Sequence, residues 1–186
     1  MTESLIAPLA RARFVVTLPP GSSRIGQQLE RMSGSSFTTL TDTRDAFLHL
    51  ARRAQERLVI MTPYIDSAGA RWATDLFEAT GAHDKFLILR GVEQMQGCGS
   101  AGDRLARTAS KIFDYTFVSS REDGPSCVET FHAKIILADG VAAYVGSANF
   151  LYRSRETNLE CGFLMEGDAV APVSVLVDAL LGVFVV

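Results

Sequence analysis

The sequence predicts an α/β fold, a layered domain around a mixed, largely parallel sheet, and three observations lead there. Between residues 41 and 118, short apolar runs of strand character alternate with stretches of helical period. In the second half, Asp139-Gly140 separates two apolar runs, the strongest short-range signal for a β-hairpin. With 186 residues, 47% of them apolar and 21% charged, the chain has enough core-forming side chains for one domain and too many for a disordered segment.

Taken in order, Arg13–Leu18 reads as a strand stopped by Pro19-Pro20-Gly21, and Ser33–Ser36 as a loop. Thr41 or Thr43 caps a helix running to about Arg57, with Ala46, Phe47, Leu50, Ala54 and Leu58 on one face. Leu58–Ile65 and Lys85–Arg90 are buried strands on either side of a helix near Ala68–Thr80. A loop at Gly97–Gly102, a helix at Asp103–Ile112 and a strand at Tyr115–Val118 complete the alternating part. Phe131–Ala138 and Val141–Val145 form the hairpin, Asn158–Met165 a last strand and Ala169–Leu181 a last helix. No linker divides residues 41–186, and residues 1–40 are set apart as an N-terminal extension of unclear role.

Charge and cysteine usage narrow the function classes. The net charge is −3, which leaves no whole-surface basic footprint and requires any anionic partner to be held by a local site. Three cysteines without C-x-x-C spacing argue against a disulfide framework or a cysteine-rich zinc site and fit a reducing cytoplasm. Cys98 and Cys161 read as buried small hydrophobes. No His or Cys spacing of a metal site occurs, so no metal or other cofactor is expected. Glu3, Arg11 and Arg13 spoil a signal peptide, and Pro172 and Asp178 spoil a membrane span at Ala169–Val186, so no stable membrane association is expected.

One segment carries chemistry. His132 and Lys134 sit two apart on an expected strand and share a face. The Asp139-Gly140 turn returns the chain to Gly146-Ser147-Ala148-Asn149, which brings a hydroxyl, a carboxamide and backbone N–H groups toward the imidazole and the ammonium. That set suits a phosphoryl group: Lys134 neutralises charge, Ser147 and Asn149 donate to non-bridging oxygens, and His132 attacks phosphorus or moves a proton. Asp139 doubles as the residue a hairpin turn wants.

The pattern H-x-K-(x)4-D-(x)6-G-S-x-N resembles the signature of the phospholipase D superfamily, with all six fixed positions filled by His132, Lys134, Asp139, Gly146, Ser147 and Asn149. From this composition its chance occurrence is on the order of 10⁻⁷ for the whole chain. Asn158-Leu159-Glu160 fits an Asn-x-Glu step that the family places shortly after. The resemblance implies a phospholipase D-type α/β/α sandwich in which two such motifs face each other across a pseudo-twofold axis. It implies metal-independent phosphodiester transfer through a phosphohistidine. His132 is then nucleophile or general acid, Lys134, Ser147 and Asn149 hold phosphate, and Glu160 hydrogen-bonds His132 to fix its tautomer.

Only one complete motif is present. His83-Asp84-Lys85 with Gly97 begins a second, but Arg90, Cys98 and Ser100 stand where Asp, Ser and Asn belong, so it reads as a loop entering a buried strand. The partner motif must come from a second chain, which predicts a homodimer with a composite site. A compact chain with one motif is similar to the small bacterial nucleases of the superfamily, so a cytoplasmic nuclease is the expected activity. A lipid phosphodiesterase and a non-cleaving nucleic-acid-binding scaffold are the alternatives. Arg153 and Arg155, just after the motif, are the best candidates for steering a polyanion; Arg44, Arg52, Arg53 and Arg57 are weaker ones. Residues 1–40 are expected to meet any protein partner.

Overall fold

The structure, a computed structural model, describes residues 11–19, 23–33, 41–119 and 127–184. Half of the expected N-terminal extension (residues 1–10, 20–22 and 34–40), with the loop at residues 34–36, and the Cys127 side chain lie outside the described positions. Strands β1 (Arg11–Thr17), β2 (Arg57–Thr62), β3 (Asp84–Leu89), β4 (Lys111–Asp114), β7 (Lys134–Ala138), β8 (Ala142–Gly146) and β9 (Glu160–Glu166) form one sheet in the order β1-β9-β8-β7-β2-β3-β4. Strands β5 (Phe117–Ser119) and β6 (Cys127–Glu129) pair separately.

The sheet is mixed, as expected. Only β2-β3 and β3-β4 pair in parallel, while the other four pairings are antiparallel. By direction, however, β1, β8, β2, β3 and β4 all run the same way, so five of seven strands are codirectional. The hairpin turn reverses β8 against β7, and that one reversal restores the common direction.

Side chains alternate between two cores. Leu58 and Ile60, Leu87 and Leu89, Ile136 and Ala138, and Tyr144 face helices α2 (Thr43–Arg53), α3 (Ser67–Ala79) and α5 (Ser100–Thr108). Val59 and Met61, Ile88, Ile135 and Leu137, and Ala143 face α7 (Ala171–Gly182), which inserts Val177, Leu180 and Leu181. The α/β/α layering is therefore present. Short helices α1 (Arg24–Ser33), α4 (Gln94–Gly97) and α6 (Tyr152–Glu156) complete the list among the described residues.

Several expectations need correction. Arg11–Thr17 pairs along its whole length with β9, so this part of the segment set aside is an edge of the same sheet. Helix α2 is capped by Asp42, whose carboxylate accepts from the Arg44 N–H, not by either threonine. Helix α5 begins three residues early, which frees Lys111–Asp114 to pair with β3. Cys98 is buried, but Cys161 points away from Glu160 onto a sheet face that α7 leaves open, and it is exposed. No helix among the described residues is long and apolar enough to cross a membrane.

Candidate active site

The site lies where β2 and β3 end and β7 begins, the carboxyl edge of the parallel strands where open α/β sheets place ligands. Strand β7 starts at Lys134, later than expected, so exposed His132 belongs to the loop before it and the two do not share a strand face. They meet nonetheless. The buried Lys134 ammonium lies 2.8 Å from His132 Nδ1, 3.5 Å from Nε2, and donates to the His132 carbonyl at 2.8 Å. Burial pushes the Lys134 ammonium below the ordinary lysine range, while the charge of Glu160 pulls the other way.

The hairpin delivers the next residues. Lys134 is opposite Gly146, and Gly146 opposite Gly162 on β9. The Tyr144 ring occupies the space over both glycines: an added Cβ would come within 2.3 Å of Tyr144 Oη at Gly146 and within 2.6 Å of the ring at Gly162. Desolvation pushes the buried Tyr144 phenol up to about 12, so it stays protonated. Ser147 follows directly. Its N–H donates to the Cys161 carbonyl at 2.9 Å, its hydroxyl donates to Glu160 and accepts from the Cys161 N–H at 3.1 Å.

Glu160 thus departs from expectation. Its buried carboxylate takes Ser147 and, at 3.4 Å, the Asn158 amide, and no hydrogen bond joins it to His132. The reason is positional: Glu160 opens β9, with β8 between it and β7, and Ser147 is the first polar group it meets. Asn149 contributes a buried Oδ1 with no hydrogen-bond partner among the described residues. A half-turn of the carboxamide would aim two N–H donors into the same place.

Asp66 anchors this loop. It caps α3 by accepting from the Gly69 N–H at 2.8 Å, and its other oxygen accepts from the Tyr152 N–H at 2.9 Å. Its own N–H reaches the Phe150 carbonyl at 3.1 Å. Gly69 leaves room for that contact, since a Cβ there would lie 1.6 Å from the Phe150 carbonyl oxygen.

Asp139 is not with the others. It sits at the far end of β7, five residues and roughly 16 Å away at ~3.3 Å per residue. With φ 51° it turns the hairpin, and its carboxylate accepts from the N–H groups of Gln55, Glu56 and Arg57 at 2.8–3.0 Å. Those bonds hold its pKa below the ordinary aspartate value, against the cost of burial. The expected place among the catalytic residues is therefore replaced by a structural one.

Among the arginines, Arg153 is exposed on α6, while Arg155 lies 5.7 Å over Trp72 and 3.2 Å from Glu156. Arg44, Arg53 and Arg57 pair with Asp42, Glu166 and Asp178. Two residues were missed. Tyr64, just past β2, packs edge to face on His132 with ring centres 5.8 Å apart, and Arg90, just past β3, donates to the Tyr64 hydroxyl at 3.1 Å. Their signal was available: both follow the carboxyl ends of neighbouring parallel strands.

A family model described as "Cardiolipin synthase, PLD-like domain" matches residues 47–175, which include every residue from His132 to Glu160. The chain belongs to this phospholipase D-like family. Its fold is similar to that of a phospholipase D family member, Nuc, from Salmonella typhimurium, with 14% identity, 93% of this chain and 90% of that chain covered, and a TM-score of 0.52. It is also similar to NucT from Helicobacter pylori, at 13% identity, 91% and 93% coverage, and a TM-score of 0.54. No curated protein sequence matches. In this phospholipase D-like domain, then, His132 and Lys134 meet at the edge where Gly146 ends β8, and Asp139 lies at the other end of β7.

Proposed function

We propose that this domain hydrolyses phosphodiester bonds without a metal, with nucleic acid as the substrate and His132 as the reacting group. The observation that carries the reading is the Lys134 ammonium at 2.8 Å from His132 Nδ1, with Lys134 opposite Gly146 in the strand register, because it joins a nucleophile to a phosphate-neutralising cation. A phosphoryl group entering the site attracts the ammonium to its non-bridging oxygens and releases the ring. A His132 nitrogen then forms a bond to phosphorus as the bond to the leaving oxygen breaks. The His132 of a second subunit supplies the proton that this oxygen takes up. Water attacks the phosphohistidine in the reverse sense, returning a phosphomonoester and the free imidazole. Lys134 and the Asn149 amide stabilise the charge that develops on the equatorial oxygens, each such donor being worth about 10²–10³ in rate. Glu160 supports the Lys134 charge and fixes the Ser147 hydroxyl.

The nuclease substrate is supported by the nucleases-by-name Nuc and NucT, whose folds cover almost the whole chain. A headgroup phosphodiesterase is the second reading, favoured by the lipid enzyme in the description of the matching family. Wild type and His132→Ala, incubated in excess EDTA with labelled DNA, RNA and phospholipid vesicles, separate these. Nucleic-acid cleavage by the wild type alone, with an acid-labile, alkali-stable label on the protein and a dimer in sedimentation, is expected. Loss of cleavage in EDTA overturns the mechanism, and headgroup release without nucleic-acid cleavage overturns the substrate.

A further inference from the structure

We propose that Arg90 and Tyr64 form a subsite for a phosphate flanking the one attacked by His132, so that the enzyme engages a strand of successive phosphates rather than an isolated diester. This rests on the phosphodiesterase reading above and adds to it a second phosphate-binding site. Three observations carry it. The Tyr64 ring packs with both His132 and Arg90, its centre 5.8 Å from the imidazole centre and 6.0 Å from the guanidinium carbon. The two charge-handling groups are therefore at most 11.8 Å apart, the sum of those distances. A strand carries one phosphate per ~3.4 Å of helix axis, so Arg90 lies within about four nucleotide steps of the reacting phosphorus.

Next, Arg90 is exposed, and among the described residues no carboxylate lies within ion-pair distance and the Tyr64 hydroxyl is its side-chain partner. Arg44, Arg53, Arg57, Arg104 and Arg155 all have carboxylates. In a chain of net charge −3, an exposed guanidinium packed on the same ring as the reacting histidine is a group an incoming anion meets.

Finally, the pair is held in place. Gln94 accepts from the Ile65 N–H at 3.2 Å and donates to the Pro63 carbonyl at 3.1 Å, and the Thr62 hydroxyl donates to the Tyr64 carbonyl at 3.0 Å. The backbone that carries Tyr64 is thus fixed from both sides. The Tyr64 hydroxyl in turn orients the guanidinium fork, whose remaining N–H groups suit phosphate oxygens. Asn149 binds from the β8 side of His132, and Arg90 from the β3 side.

The experiment compares a labelled DNA oligonucleotide with bis(p-nitrophenyl) phosphate, a diester with a single phosphorus. Arg90→Ala is expected to raise KM on the oligonucleotide roughly ten- to a hundredfold. Its loss on the small diester should be at least tenfold less. The slope of log KM against log salt should fall by about one phosphate contact. Arg90→Lys restores part of the affinity and the slope; Tyr64→Phe keeps the ring against His132 but loosens the fork and falls between. Equal losses on both substrates, or none on the oligonucleotide, overturn the subsite while leaving the phosphodiesterase reading intact. A wild type inactive on both substrates overturns that reading and the subsite together, and activity confined to phospholipid vesicles assigns the diester to a lipid and refutes the strand.

Discussion

The Ser147 hydroxyl gives its proton to Glu160 and receives one from the Cys161 N–H, so a single oxygen bridges a buried carboxylate and the first backbone groups of β9. That hydroxyl is thereby committed within the protein. In the proposed reaction, donation to substrate falls to Lys134 and Asn149 unless the Ser147 proton is released from Glu160.

That commitment can be measured. Glu160→Gln keeps the shape but removes the charge that supports Lys134. We expect kcat to fall about 10²-fold, the loss of one electrostatic contribution. Combined with Ser147→Ala, the losses should be less than multiplicative, because the two act as one unit.

Lys134 gives a pH prediction. Its folded pKa lies below the ordinary lysine value through desolvation. Function requires the charged form, so kcat/KM should decline on the alkaline side below about pH 10.4, the unperturbed lysine value. Glu160→Gln removes the charge opposing that shift and moves the limb to lower pH. For stability the sign is reversed: the folded state holds the Lys134 proton less tightly than the unfolded chain. The burial cost is therefore present at neutral pH and is relieved as pH rises through the folded value toward the unfolded one. A limb unmoved by Glu160→Gln, read from a pH–rate profile, would separate Lys134 from that titration.

Asp139 should act on stability alone. Asp139→Ala releases three backbone N–H groups and leaves a positive φ without its carboxylate, which should cost about 2 kcal/mol in urea unfolding. The activity of the folded variant should match wild type. Below pH 4 the native carboxylate protonates as pH falls through its lowered folded value, and the same stability is lost there.

Gly69→Ala tests the anchor. A methyl group 1.6 Å from the Phe150 carbonyl oxygen forces the Ala148–Phe150 segment away from α3. We expect about 3 kcal/mol of destabilisation, the upper part of the overpacking range, with kcat falling in parallel because Asn149 moves.

Much of this was legible beforehand because local signals agreed with the tertiary ones. Asp139-Gly140 fixed the hairpin, the apolar runs at Leu58 and Phe86 fixed the central strands, and the spacing from His132 to Asn149 singled out the candidate residues. Three features were hidden for physical reasons. Cys127–Glu129 is too short for any period, and Lys111–Asp114 becomes a strand only through pairing with β3. Tyr64 and Arg90 belong to different loops, and only parallel pairing of β2 with β3 brings them beside His132. The Glu160 partner was misread because sequence spacing cannot say which polar group a strand neighbour meets first.

Asp66 ties the start of α3 to the backbone of both Phe150 and Tyr152, so the segment that follows Asn149 has no independent persistence. Denaturant that frays the first turn of that helix should dissolve the proposed reaction centre in the same event. Loss of enzymatic turnover and loss of helical ellipticity should then trace one superimposable curve, and slow amide exchange at Phe150 and Tyr152 should track that of the core.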